Sequence, residues 1–210
     1  MAYLKLLKKF ISCSLLLGVI ITSFSPVQAH ASTIEENNIK SSISINDDDV
    51  VESKLLTYDE LVNEVVKNEN LSVEDAKKFL GVNDKLRNGE YYRTYTYTVQ
   101  VTSAYKPTVV FYCKTSEWNN YRGIISVLNT SLNRSYNGLS KQFSGTLYTN
   151  LENAYTIYFE LNGDFYNNGT TTFSGGGEIE VGGKSTINFG VSYATNHFSY
   201  CYKAGRYALY

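Results

Sequence analysis

The sequence predicts a mainly β protein, an antiparallel β-sandwich or small barrel of about 8–10 strands, preceded by a short helical hairpin. Two observations support this class. Side chains alternate with a period of two over residues 91–102, which is typical of a strand. Residues 55–81 instead show the apolar spacing and the capping residues of helices. No helical pattern follows residue 91, so we expect the strands to pair antiparallel.

Residues 1–31 have the organisation of a secretory signal peptide. Three lysines precede an apolar run at 10–24, which is shorter than the roughly 20 residues of a membrane-spanning helix. Small residues then permit cleavage after Ala29 or after Ala31. We therefore expect the mature protein to be secreted and to act outside the cell or in association with the cell wall.

The rest of the chain divides into two regions of opposite charge. Residues 32–90 hold 14 acidic and 7 basic side chains. Residues 91–210 hold 6 acidic and 9 basic side chains, together with 17 of the 19 tyrosines. The total charge of −1 is therefore low because an acidic region and the more basic rest of the chain nearly cancel. Neither region has the basic stripe of a nucleic-acid-binding protein, so no nucleic-acid partner is expected.

The acidic region contains a leader and a helical arm. Residues 32–54 are rich in polar and acidic residues without an apolar period, which predicts a flexible acidic leader. In the arm, residues 55–88, Thr57 and Glu60 have the spacing of a capping box, and Ser72 begins a second helix. Two helices this short have little core of their own. We expect them to dock on the following domain or on a partner.

Residues 89–210 form the predicted tyrosine-rich β domain. After the first alternating run, strands are predicted at 108–114, 122–128, 142–151, 155–161, 170–174, 178–181, 186–193, 197–202 and 206–210. Four dipeptides between these segments are typical of tight turns: Asn137-Gly138, Asn162-Gly163, Asn168-Gly169 and Gly182-Gly183.

Aromatic residues supply the candidate ligand-binding positions. Tyrosine is common in strands, so its abundance alone indicates no function. An exposed ring, however, offers an apolar surface and a polar tip to a ligand such as a sugar. Trp118 and Tyr121 lie in the polar segment 116–121, predicted to be a loop, and Tyr92 falls on the threonine side of the first strand. These three residues are the predicted ligand contacts.

The chain offers little material for catalysis, and neither a metal site nor a cofactor is predicted. Cys113 and Cys201 both lie in strand patterns, and the choice between a disulfide and two free buried thiols stays open. His197 lies four residues before Cys201, about 13 Å along a strand, which is too far for a proton relay. Glu178 and Glu180 share a strand face about 6–7 Å apart, within the range of a carboxylate pair in a glycoside hydrolase.

Several stretches resemble an uncharacterised family of small exported proteins of low-GC Gram-positive bacteria. They are Leu56-Thr57-Tyr58-Asp59-Glu60-Leu61, Leu71-Ser72-Val73-Glu74-Asp75-Ala76, Arg134-Ser135-Tyr136-Asn137-Gly138, Phe143-Ser144-Gly145 and Gly163-Asp164-Phe165-Tyr166-Asn167-Asn168-Gly169. The resemblance implies export and a β fold, and it carries over no functional residue.

We therefore predict an exported, non-enzymatic β-sandwich binding module that acts at the cell envelope or on an extracellular ligand. Its predicted partner is a cell-wall polymer or a carbohydrate. The net charge of +3 on residues 91–210 suits an anionic polymer such as teichoic acid. One alternative is a secreted bacteriocin-like or membrane-active toxin, because residues 170–193 alternate polar and apolar side chains. Membrane contact is not the favoured interpretation. A further alternative is a glycoside hydrolase that uses Glu178 and Glu180.

Overall fold

Antiparallel strands make up most of the described chain, and two helices lie near its N-terminal end. The computed structural model describes residues 50–81 and 86–209, so the predicted signal peptide and leader residues 32–49 lie outside the described residues. The elements are β1 (Val50–Glu52), α1 (Tyr58–Glu69), α2 (Val73–Leu80), β2 (Glu90–Thr98), β3 (Thr108–Trp118), β4 (Tyr121–Asn133), β5 (Ser135–Tyr136), β6 (Leu139–Ser140), β7 (Gln142–Asn153), β8 (Thr156–Gly175), β9 (Ile179–Glu180) and β10 (Lys184–Ala208). The predicted fold class is confirmed: a mainly antiparallel β protein with a helical hairpin ahead of its main strands.

The helices begin at the caps that the sequence predicts. At the start of α1 the Glu60 N–H donates to the Thr57 hydroxyl (3.2 Å), and the Thr57 N–H donates to the Glu60 carboxylate (2.8 Å). At the start of α2 the Ser72 hydroxyl accepts from the Asp75 N–H (3.1 Å). Gly81 follows α2 with φ 66°, a left-handed conformation that glycine adopts at little steric cost.

The first sheet has the strand order β1-β2-β3-β4-β9 and is antiparallel throughout. Its first strand, Val50–Glu52, lies within residues 32–54, which are predicted to be a flexible leader. The prediction is therefore wrong for the end of this segment. Backbone pairing with β2 orders this segment. The last residue of β1, Glu52, also forms ion pairs with Arg93 (2.8 Å) and with Arg122 (2.7 Å).

The second sheet consists of β7, β8 and β10, and each of these strands pairs with the other two. The register of the long β8–β10 pairing shifts between Ser192 and Thr195 and again between His197 and Ser199. Residues 184–189 of β10 pair with the edge of β7 that β8 leaves free. The short strands predicted within 155–174 and 186–208 are therefore segments of β8 and β10.

Two predicted turns, Asn162-Gly163 and Asn168-Gly169, lie inside β8, so these predictions are wrong. Gly163 lies opposite Gly145 of β7, and a Cβ atom on either glycine would come within 2.2 Å of a backbone oxygen of the other strand. The Phe143 ring lies over both glycines, with its Cζ atom 2.8–2.9 Å from the two Cβ positions. Gly163 therefore serves a close approach of two strands.

The other two predicted turns are present, and one of them is displaced. Asn137-Gly138 joins β5 to β6 with φ 49° and 77°, as a primed hairpin turn requires. The turn predicted at Gly182-Gly183 is centred one residue earlier, because the Gly183 N–H donates to the Glu180 carbonyl (2.8 Å) and Gly182 has φ 81°. This turn leads from β9, which pairs with β4, to β10 of the second sheet.

Apolar side chains form two cores, one on each side of the first sheet. The core between the two sheets includes Tyr95, Tyr97, Phe111, Phe143, Phe159 and Phe165. The second core joins the two helices to the other face of the first sheet. It contains Leu61, Val62, Val65, Ala76, Leu80, Tyr92, Val110, Tyr112 and Leu128. The arm thus docks on the β domain, one of the two arrangements expected from the sequence. The result is a helical layer on a two-sheet sandwich.

Candidate functional site

Tyr92, one of the three predicted ligand contacts, is fully buried (0% exposed), so that prediction is wrong. Alternation along β2 places its side chain on the outer side of the first sheet, as predicted. The helical arm covers that side, and the Tyr58 ring lies 5.9 Å from the Tyr92 ring, centroid to centroid. Tyr92 therefore contributes to docking the arm.

Trp118 and Tyr121 are both exposed, at 62% and 47%. They pair directly across a two-residue turn in which Asn119 has φ 53°, so the segment predicted as a loop is the tip of the β3–β4 hairpin. The Tyr121 ring makes an edge contact with Tyr155, another exposed aromatic residue, at 6.2 Å between centroids. A recess of about 310 Å³ adjoins Tyr121. Ligand binding at this tip stays a prediction.

A larger aromatic surface lies on the outer side of the second sheet. Alternate residues of β8 point into the core, and the intervening ones point outward. We define the tyrosine face by the outward residues that pair across three strands: Tyr148 of β7, Tyr158, Glu160, Asn162 and Asp164 of β8, and Tyr200, Tyr202 and Arg206 of β10. Directly paired residues of antiparallel strands share a side of the sheet, so this set forms one continuous surface.

Tyr200 and Tyr202 are the most exposed rings of the tyrosine face, at 57% and 56%. The Tyr200 hydroxyl donates to Oδ1 of Asn162 on the neighbouring strand (2.9 Å). The Tyr200 hydroxyl is anchored on the neighbouring strand while more than half of the side chain stays exposed. The Asn162 side chain thus orients an apolar platform and keeps its own N–H groups available as donors.

Tyr158 lies at the other end of the tyrosine face within a polar network. Its hydroxyl donates to the Glu160 carboxylate, and the Arg206 guanidinium lies over its ring at 4.6 Å from the centroid. Burial and the neighbouring carboxylate raise the pKa of the Tyr158 hydroxyl. Arg206 also donates to both oxygens of Glu152 (3.0 and 3.1 Å), which fixes the guanidinium in place.

Asp164 extends the tyrosine face towards the register shift between His197 and Ser199 of β10. Its carboxylate lies 2.8 Å from Nε2 of His197, and both side chains are partly exposed. The His197 ring makes an edge contact with Tyr166 at 5.6 Å between centroids. Residues of β8 and β10 therefore form one row of hydrogen-bonding and aromatic groups from Arg206 to His197.

The sequence alone does not reveal the tyrosine face. Tyr158, Tyr200 and Tyr202 lie in predicted strands, and the alternation of side chains along each strand gives the side of the sheet on which they lie. The missing information is the pairing of β8 with β10, which puts these tyrosines next to one another. That pairing is recognisable only if 155–174 and 186–208 are treated as one long hairpin.

The two cysteines of the β domain are free, buried thiols. Burial raises the pKa of Cys113 and also that of Cys201, which lowers the fraction of the reactive thiolate. His197 pairs with Asp164 and lies on a partly exposed part of β10. Neither thiol therefore has the low pKa and the accessibility that are typical of a reactive cysteine.

Glu178 and Glu180 line a polar recess of about 650 Å³ beside the first sheet. The Glu178 carboxylate accepts from the Ser126 hydroxyl (2.7 Å), and the Glu90 carboxylate of the same recess pairs with Lys114 (2.8 Å). The recess contains both signs of charge. A hydrolytic role for the two glutamates stays a prediction of the sequence.

The amphipathic segment 170–193 is part of the second sheet. Its apolar residues Ile187 and Phe189 are buried in the core between the sheets. Membrane insertion would need this hairpin to leave both β7 and the core. Within the described residues no helix is long and apolar enough to cross a membrane, and no group of His, Cys, Asp or Glu is arranged to hold a metal ion.

Comparison with known protein families, with characterised proteins and with solved structures gives no match to this chain. Its class therefore follows from its own fold. The described chain is a β-sandwich that carries helices on the outer side of one sheet and a row of exposed tyrosines on the outer side of the other.

Proposed function

We propose that this protein is an extracellular, non-enzymatic binding module that takes a carbohydrate ligand on the tyrosine face. The exposed ring of Tyr200, bound through its hydroxyl to Asn162 and next to exposed Tyr202, is the observation that carries the proposal. The signal peptide predicted at residues 1–31 supports a place of action at the cell envelope or beyond it.

The tyrosine face combines the two kinds of contact that a sugar needs. A sugar ring has an apolar side of C–H groups, which packs on an aromatic ring, and a rim of hydroxyl groups, which requires donors and acceptors. Glu160 and Asp164 supply acceptors on either side of Asn162, and the Asn162 amide supplies donors. Because these groups stand on paired strands, the surface is organised before a ligand arrives, which lowers the entropic cost of binding.

The experiment measures retention of the purified mature protein on insoluble polysaccharides, such as chitin and cellulose, and on purified bacterial cell walls. Tyr200→Ala and Tyr202→Ala are each expected to weaken binding about tenfold, which corresponds to about 1.4 kcal/mol. Tyr200→Phe keeps the ring and loses only the bond to Asn162, so it is expected to retain most of the affinity.

Trp118→Ala is the contrasting variant, because it removes an exposed aromatic ring at the hairpin tip and leaves the tyrosine face intact. Its retention is expected to equal that of the wild type. If Trp118→Ala abolishes retention while both tyrosine variants bind normally, the site is at the tip and the proposal is wrong. It is also wrong if the wild-type protein is retained on none of these materials.

A further inference from the structure

We infer that the tyrosine face selects uncharged glycans and discriminates against anionic polymers, with Glu160 and Asp164 as the residues that set this selectivity. The inference rests on the proposed carbohydrate-binding function. It reverses the expectation drawn from the +3 charge of residues 91–210, which favours an anionic wall polymer. The reason is where the charges lie.

Two carboxylates stand in the middle of the tyrosine face. Glu160 and Asp164 are two positions before and after Asn162 on β8, about 7 Å from it along the strand. They pair directly with Ala204 and Tyr200 of β10. A ligand that stacks on Tyr200 and Tyr202 therefore lies beside both carboxylates.

The arginine and lysines of this sheet do not balance these carboxylates, and His197, whose Nε2 lies 2.8 Å from Asp164, carries a charge only when its ring is protonated. Arg206 is bound to both oxygens of Glu152, so that pair carries no net charge. Lys203 follows Tyr202 but points to the other side of the sheet, where its ammonium lies 5.6 Å from the centre of the Tyr97 ring. Lys184 pairs with Asn150 at the margin of the face, and β7 and β8 both lie between it and β10 residues 200–206.

Two other arginines of the β domain bind partners away from the tyrosine face. Arg93 is nearly buried and binds Glu117 and Glu52. Arg134 lies among Gln142, Thr171 and the Lys141 carbonyl. The net charge of the domain is thus positive, while the surface that carries the exposed tyrosines is locally negative.

The expected discrimination is modest for each charge and follows from Coulomb's law. A phosphate about 6–7 Å from one exposed carboxylate is repelled in water by an amount that weakens binding about threefold, so two carboxylates give about tenfold. Uncharged hydroxyl groups carry no such penalty and can donate hydrogen bonds to the same carboxylates. The geometry therefore favours a neutral sugar polymer.

The test compares an uncharged and an anionic polymer on the same immobilised protein at low salt. The probes are soluble chitin oligosaccharides and purified teichoic acid, and the variants are Glu160→Gln with Asp164→Asn, singly and combined. The double variant keeps the size and much of the hydrogen bonding of the two side chains. It is expected to tighten teichoic acid binding about tenfold relative to oligosaccharide binding, and about 1 M salt is expected to remove most of this gain.

Two results would overturn the inference. One is a wild-type protein that binds teichoic acid more tightly than the oligosaccharides. The other is a double variant in which the ratio of the two affinities is unchanged. Tyr200→Ala separates this failure from that of the proposed function. If Tyr200→Ala lowers oligosaccharide binding while the ratio stays fixed in the double variant, only the charge selectivity is wrong. If Tyr200→Ala has no effect on either polymer, the binding site itself is misassigned.

Discussion

Arg93 and Glu117 form a two-point ion pair at one end of the sandwich, with Nε–Oε1 and Nη2–Oε2 distances of 2.6 and 2.9 Å. The same guanidinium reaches Glu52 and the Ser53 carbonyl, so one nearly buried side chain connects β1, β2 and β3. Glu117 also accepts from the Thr115 hydroxyl. The network explains how a strand of three residues is held at the edge of the first sheet.

Arg93→Ala is expected to destabilise the fold by about 3–5 kcal/mol, because it leaves Glu117 without its two-point partner in a largely desolvated place and removes one of the two arginines that hold Glu52. Chemical denaturation monitored by tryptophan fluorescence measures this change. Arg122→Ala is the control, since Arg122 is 37% exposed and its loss is expected to cost less than about 1 kcal/mol. Equal effects of the two substitutions would contradict the role assigned to Arg93.

Gly145→Ala is expected to destabilise the second sheet by about 1–3 kcal/mol or more, because the new Cβ atom would meet the Asn162 carbonyl oxygen at 2.2 Å. Gly190→Ala is the matched control within a strand. There the nearest atom is the Thr172 hydroxyl oxygen at 3.7 Å, an ordinary contact, and we expect a neutral or slightly stabilising effect. Thermal unfolding of both variants checks the difference.

Glu69 lies at the end of α1 where the helix packs on the first sheet, and burial raises the pKa of its carboxyl, offset in part by Ser131 and Arg134. A carboxyl whose folded-state pKa is raised destabilises the fold as the pH rises through that pKa, because the charged form then has to be buried. Glu69→Gln is therefore expected to stabilise the protein, and more so at about pH 7.5 than at about pH 4.

Urea titrations of Glu69→Gln and of the wild type at the two pH values measure this difference. Glu74→Gln, a substitution at an exposed position of α2, serves as the control and is expected to leave the stability unchanged at both. If the Glu69→Gln variant is less stable than the wild type at the higher pH, the carboxylate is stabilising in place and the prediction is wrong.

Cys113 and Cys201 are expected to resist a thiol reagent in the native protein and to react fully after denaturation. Their burial and raised pKa values keep the thiolate fraction small, so we expect native labelling to be at least about a hundredfold slower than labelling of the unfolded chain. Counting the thiols of the denatured, unreduced mature protein checks the redox state. A count of zero would demonstrate a disulfide.

The parts of the fold that depend on neighbouring residues are predictable from the sequence. The capping box of Thr57 and Glu60 is such a case, because both partners lie within one turn of helix. The prediction of a turn at Asn162-Gly163 is wrong for the opposite reason. Gly163 is required by the close approach of Gly145, which lies on another strand. A dipeptide that is typical of turns carries no information about that partner.

The candidate site shows the same division between local and distant information. The side of β2 on which Tyr92 lies follows from alternation, but its burial depends on α1, which docks from elsewhere in the chain. Tyr200 and Tyr202 also follow the alternation of a predicted strand. They form part of a candidate site only because β10 pairs with β8, and no short sequence motif indicates that pairing.

The pairing of β10 with both β7 and β8 also has a consequence for the kinetics of folding. Residues 184–189 must find residues 145–150, and residues 197–208 must find residues 156–166, before the second sheet is complete. Such distant contacts make folding slow, on the order of milliseconds to seconds, whereas helices such as α1 form within about a microsecond. A chain with this topology would therefore spend its slowest folding step with the strands of the tyrosine face still unpaired, when it is most open to aggregation and proteolysis.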